Sequence, residues 1–147
     1  MRIIEAKPSD VPRIMACARE FCALLKVNLN EAHYAAVWTR FMEEGRGGMF
    51  LMEDAGRIVG GIGGITADDL LTGEREAVEL FWYVQPEFRK GLAPIRLLNH
   101  FEDWAAGAGC KGVAMIHMEA SMPQELKLFY EKRGYRLLES HYRKTLP

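Results

Sequence analysis

Apolar residues recur along this chain at strand-like and helix-like spacings, and each change of period marks an element. Residues 2–6 predict a short strand. Pro8-Ser9-Asp10 then announces a helix with Ser9 as N-cap, and Val11, Ile14, Met15, Ala18, Phe21, Cys22 and Leu25 follow at helical spacing. A second helix is predicted from about Asn30 to Glu44, with the stripe Tyr34, Val37, Trp38 and Phe41 and a stop at Gly45.

The period then shortens. Met49-Phe50-Leu51-Met52 is an apolar run, Asp54-Ala55-Gly56 signals a turn, and Arg57 to Ile62 resumes as a strand. Ala77 to Gln85 predicts another strand, ended by Pro86 and aromatic or β-branched in character apart from Glu79. A third helix opens near Gly91, takes Pro94 into its first turn, buries Leu97, Leu98, Phe101, Trp104, Ala105 and Ala108, and ends at Gly109. Gly112 to Ile116 is a strand. Ser121-x-x-Gln124 has the form of a capping box for a fourth helix carrying Leu126, Phe129 and Tyr130, stopped by Gly134, and Tyr135 to Leu146 predicts a final strand.

The order β-α-α-β-β-β-α-β-α-β predicts an α/β (α+β) chain with a mixed, mostly antiparallel sheet flanked by helices. One β-α-β crossover lays the strand before Pro86 parallel to the strand at Gly112. The 147 residues suit one domain, 1–147. Nineteen basic and 20 acidic side chains leave a net charge of −1, which argues against a general nucleic-acid binder. No apolar run reaches membrane-spanning length, and charges and Pro8 stand where an export signal needs an apolar stretch. Cys17, Cys22 and Cys110 read as free thiols, which points to a cytoplasmic protein. The four histidines show no metal-ligand spacing, so no metal is expected.

Chemistry concentrates between Val84 and Pro94. There a strand runs into a basic turn that opens a helix, and the N–H groups of a helix start attract phosphate. Arg89 and Lys90 add full charges, while Gly91 and Ala93 keep the turn narrow. A solvated basic turn has the same composition. Gly60-Gly61-Ile62-Gly63-Gly64 lacks the Lys-Ser/Thr of a phosphate loop and reads as a strand built for close packing. Trp38 and Trp104 read as packed side chains, and His117 as a packed histidine or an alternative base. Asp68, Asp69, Glu74 and Glu76 form an acidic loop suited to solvation or to a cationic acceptor.

The stretch Val84-x-Pro86 followed by Arg89 resembles motif A of the GCN5-related N-acetyltransferases (GNAT). Leu128-Phe129-Tyr130-Glu131-Lys132-Arg133-Gly134-Tyr135 is similar to that family's second signature, at a family-like separation. Counted from Arg89, the family's glycine positions hold Leu92 and Pro94; a turn one residue shorter is supplied by Gly91 and Ala93. The stretches Arg96-Leu97-Leu98 and Phe101 to Ala105, with the short turn, look like small phage- or prophage-encoded members.

The resemblance implies an acyl-CoA N-acyltransferase fold whose central parallel strand pair splays apart. It also implies acetyl transfer from acetyl-CoA to a primary amine, on a small molecule, a protein lysine or an N-terminus, without metal. Trp82, Tyr83 and Val84 would meet the pantetheine arm, and Arg89, Lys90, Gly91, Leu92, Ala93, Pro94 and Ile95 the pyrophosphate. Glu79 is the candidate base, since burial raises a carboxyl pKa toward neutrality; it reads equally as a solvated edge residue. Tyr130 stands where the family often has the acid for the leaving thiolate, and equally suits a core aromatic. A homodimer fits this picture. So does a non-catalytic member of the fold that binds CoA weakly or not at all and serves in interactions or in a virion. A plain binder of phosphorylated ligands is the third reading.

Overall fold

A computed structural model describes residues 1–147. The chain runs β1 (Arg2–Glu5), a 3-10 segment (Pro8–Ile14), α1 (Met15–Leu25), α2 (Glu31–Glu43), β2 (Gly47–Asp54), β3 (Arg57–Asp68), β4 (Arg75–Val84), a short 3-10 turn (Pro86–Phe88), α3 (Ala93–Gly107), β5 (Gly112–Ala114) and α4 (Pro123–Lys132). The sheet order is β1-β2-β3-β4-β5. Every neighbouring pair is antiparallel except β4 and β5, which are parallel. The mixed sheet is thus the predicted one. Two compact units make up the chain, Met1–Ile116 and His117–Pro147.

Three sequence expectations are corrected. Ser9 caps nothing: Pro12 lacks an N–H, so the segment winds as a 3-10 helix from Pro8, and the Lys7 N–H is held by Asp10 at 3.0 Å. The Ser121 capping box does not form either. Met122, in the left-handed region at φ 46°, precedes α4, and no side chain caps that helix. Residues 135–146 form no strand. Their apolar residues lack period two, with Leu137 and Leu138 adjacent, and Leu137, Leu138 and Tyr142 are largely exposed. The parallel pair therefore ends the sheet order instead of lying within it.

Within the first unit, helices cover both faces of the sheet. On one face Trp38 of α2 meets Phe81 and Phe41 edge-on at 5.6 and 5.9 Å, above Met49, Leu51, Ile14 and Cys17. On the other, α3 buries Leu97, Leu98 and Phe101, and its Trp104 ring lies on Gly48. Alternate glycines of β3 serve opposite faces. A Cβ on Gly63 would meet Phe81 and Trp38, and one on Gly64 would strike the Val78 carbonyl and stand 2.7 Å from the Phe101 ring. The glycine run is a packing device, as its sequence suggested.

The Gly64→Ala protein should lose about 1–3 kcal/mol of stability, because backbone and a buried ring cannot both give way. Gly107→Ala, in the last turn of α3 with open space around it, should be neutral or gain up to about 1 kcal/mol. Urea midpoints at constant m-value measure both.

Candidate active site

The site begins with a fault in β4. Gly63 pairs with Phe81 but Gly64 pairs with Glu79, so Leu80 is an extra residue, a β-bulge. Before it, the Arg75 carbonyl accepts from the Lys111 N–H, so odd-numbered residues turn their main-chain groups to β5. After it, the Gln85 N–H donates to the Val59 carbonyl, so odd-numbered residues face β3. The bulge has reversed the parity, and Trp82 and Val84 now turn their N–H and C=O to the β5 side. The parallel ladder covers only Glu76–Gly112, Ala77–Val113 and Val78–Ala114. Beyond Val78 the ladder stops: β5 ends at Ala114 while β4 runs on to Val84.

Glu79 stands where the ladder ends. It is 4% exposed, and its Oε2 accepts a hydrogen bond from the Ile116 N–H at 3.0 Å. Its paired Gly64 faces Phe101, which places the carboxyl on the α3 face. Burial pushes its pKa up to about 7, against a smaller lowering by the Ile116 N–H. The solvated-edge alternative is excluded: this is a desolvated carboxyl poised near neutrality.

At the far end of β4 the chain turns into α3. Gly91 has φ 86°, a left-handed conformation that favours glycine, and no atom lies within 4 Å of where its Cβ would be. Ala93 and Pro94 open the helix. As a helix start it leaves the N–H groups of Leu92, Ala93 and Ile95 without intrahelical acceptors, while Arg96 N–H already reaches the Leu92 carbonyl. Pro94 has no N–H to offer. Lys90 is exposed beside them.

Two predicted contacts are placed differently. Arg89 folds back: its Nε donates to the Val84 carbonyl at 2.6 Å, and its guanidinium lies 5.3 Å from the centre of the Tyr83 ring. Tyr83 does not face the wedge. Its main chain belongs to the β3 side, and its side chain reaches α1, where the hydroxyl donates to Glu20 at 3.0 Å. The Gln85 amide joins the same carboxylate at 2.8 Å. Sequence reasoning missed this clamp, because its residues are 63 and 65 positions apart. It also missed Leu80, since a bulge leaves no mark in composition.

In the second unit, Tyr130 is a buried residue of α4 with Phe129 at 5.9 Å and Tyr135 at 5.5 Å, and its carbonyl accepts from Tyr135 N–H at 3.0 Å. In the acidic loop, Asp69 Oδ1 is spent on its own turn, accepting from the N–H groups of Leu71 and Thr72.

Solved structures of several acetyltransferases share this fold. Ribosomal-protein-alanine N-acetyltransferase from Brucella melitensis biovar Abortus 2308 superposes with a TM-score of 0.76 at 14% identity, over 99% of this chain and 100% of that one. Glucosamine-6-phosphate N-acetyltransferase from Arabidopsis thaliana gives 0.78 at 15% identity, covering 99% and 98%. A predicted acetyltransferase with acetyl-CoA from Clostridium acetobutylicum gives 0.79 at 11%, covering 98% and 95%. No curated protein sequence matches. Residues 14–135 match the sequence model of the acetyltransferase (GNAT) family, and the chain belongs to that family as an N-acetyltransferase.

Proposed function

We propose that this enzyme moves an acetyl group from acetyl-CoA to a primary amine by direct attack, with Glu79 as the base. One observation carries the reading: a desolvated carboxyl, Glu79, sits where the β4–β5 ladder ends. Acetyl-CoA supplies a thioester whose acyl carbon takes the amine nitrogen as its C–S bond breaks. The main-chain groups of Trp82 and Val84 suit the pantetheine amides, as an added strand would. The Leu92, Ala93 and Ile95 N–H groups and the Lys90 charge suit the diphosphate. For Val84 to take part, Arg89 must leave its carbonyl, which frees the guanidinium for phosphate.

An amine arrives as an ammonium and must lose a proton before it attacks. Glu79 takes that proton, relayed through water. With its pKa near 7, it is substantially ionised at neutral pH and still basic enough to accept. Tyr130 gives the proton that the departing thiolate needs, a role that rests on the family signature around it. The three free cysteines support cytoplasmic residence.

The non-catalytic reading draws on one observation, the Arg89 side chain lying on the carbonyl that the cofactor would use. Acetyl-CoA decides between them: it should raise the melting temperature of the enzyme by several degrees and release CoA thiol when amines are added. No shift at millimolar acetyl-CoA favours the non-catalytic protein.

Three outcomes follow for single variants. Because burial raises the Glu79 pKa from 4.5 to about 7, the folded state holds a proton that the unfolded state gives up over that range. Wild-type stability should therefore fall by about 3 kcal/mol as pH rises from 4.5 to 7 and level off above. Glu79→Gln should remove that slope in urea titrations and be the more stable protein at pH 8. It should also lower kcat/KM at pH 8 by about 10²-fold or more and abolish the acid limb near pH 7. Unchanged turnover would discard the base.

Arg89→Ala should raise the KM for acetyl-CoA about tenfold and leave kcat within about twofold. Equal KM values would discard the phosphate role. Tyr130→Phe should lower kcat at unchanged acetyl-CoA affinity, and an unaltered kcat removes Tyr130 from the mechanism.

A further inference from the structure

On the face of β4 opposite Glu79, α1 and the start of α2 leave an open cavity of about 170 Å³. Its walls include Cys17, Phe21, Cys22, Leu25, Leu80 and Phe81, and no charged side chain lines it. Tyr83 contributes its ring, while its hydroxyl is committed to Glu20. Tyr34 contributes an aromatic side chain whose hydroxyl is held neutral by burial. Leu80 remains 44% exposed, so the chain itself does not close the mouth.

Resting on the acetyl-transfer reading, we infer that this cavity receives the apolar group of the acceptor, and that the substrate is an amine on a small aromatic or branched aliphatic framework. Three observations converge. The size is right: an apolar cavity of about 150 Å³ is enough to hold benzene. The walls are wrong for a polycation or a sugar, whose charges and hydroxyls would be desolvated there without partners. The position is right as well, because Leu80 is both a wall of the cavity and the chain neighbour of Glu79. In the acidic hairpin loop, Asp69 Oδ1 is already held within the turn by the N–H groups of Leu71 and Thr72.

Phenethylamine and spermidine test the substrate class in thiol-release assays, and toluene, uncharged and unreactive, tests the cavity alone by thermal shift. In the wild-type enzyme phenethylamine should exceed spermidine in kcat/KM by at least about tenfold, the scale of one buried aromatic group. Toluene should raise the melting temperature. Ala18→Leu, which fills the cavity from α1, should raise the KM for phenethylamine at least about tenfold and abolish the toluene shift, while the shift given by acetyl-CoA persists. If that variant fails to fold, Cys22→Phe fills the same space from a half-buried position. Spermidine used as well as phenethylamine, or no toluene shift in the wild type, overturns the inference and leaves acetyl transfer standing. Thiol release with no amine at all overturns the acetyl-transfer reading instead, and the toluene shift then decides the cavity by itself.

Discussion

The hydrogen bond from the Ile116 N–H to the Glu79 carboxyl is the contact on which the rest of the site depends. A parallel strand pair left to itself continues its ladder. Here the ladder ends after three residue pairs, and a side chain stands at that end. The cost is a desolvated carboxyl whose proton is held to about pH 7. In the proposed reaction that cost and the chemistry have one origin, the burial of Glu79 where the ladder ends.

The bulge at Leu80 gives this break its consequence. By inserting one residue it exchanges which main-chain groups face β3 and which face the β5 side. Trp82 and Val84 thereby turn their main-chain groups to the β5 side, shortly before the chain enters α3. The same insertion pushes Leu80 outward to line the cavity on the opposite face. One added residue thus organises both sides of β4.

Rigid surroundings hold this arrangement. Gly48, Gly63 and Gly64 let Trp104, Trp38 and Phe101 lie directly on the sheet. Glu20 of α1 fixes the end of β4 through Tyr83 and Gln85. Arg89 closes the end of the strand by occupying the Val84 carbonyl, and it is the one part of the site with an obvious alternative partner in a bound phosphate.

Much of this was legible in residue order. The strand ending at Pro86, the helix opened by Pro94, the structural role of the glycine run and the candidacy of Glu79 all follow from local pattern, because each depends on neighbours within a few positions. Expectations that relied on a single local signal fared worse. Ser9 was overruled by Pro12, and the capping pattern at Ser121 by the backbone of Met122. Residues 135–146 lacked the alternation that a strand requires. What only the tertiary structure decided is the environment: that Glu79 is buried, that Leu80 is bulged, that Tyr83 turns to Glu20, and that α1, α2 and β4 enclose an uncharged cavity. A sequence specifies which groups are present and their local periodicity. Desolvation, strand parity and cavity shape arise from segments tens of residues apart, and they exist only once those segments are packed together.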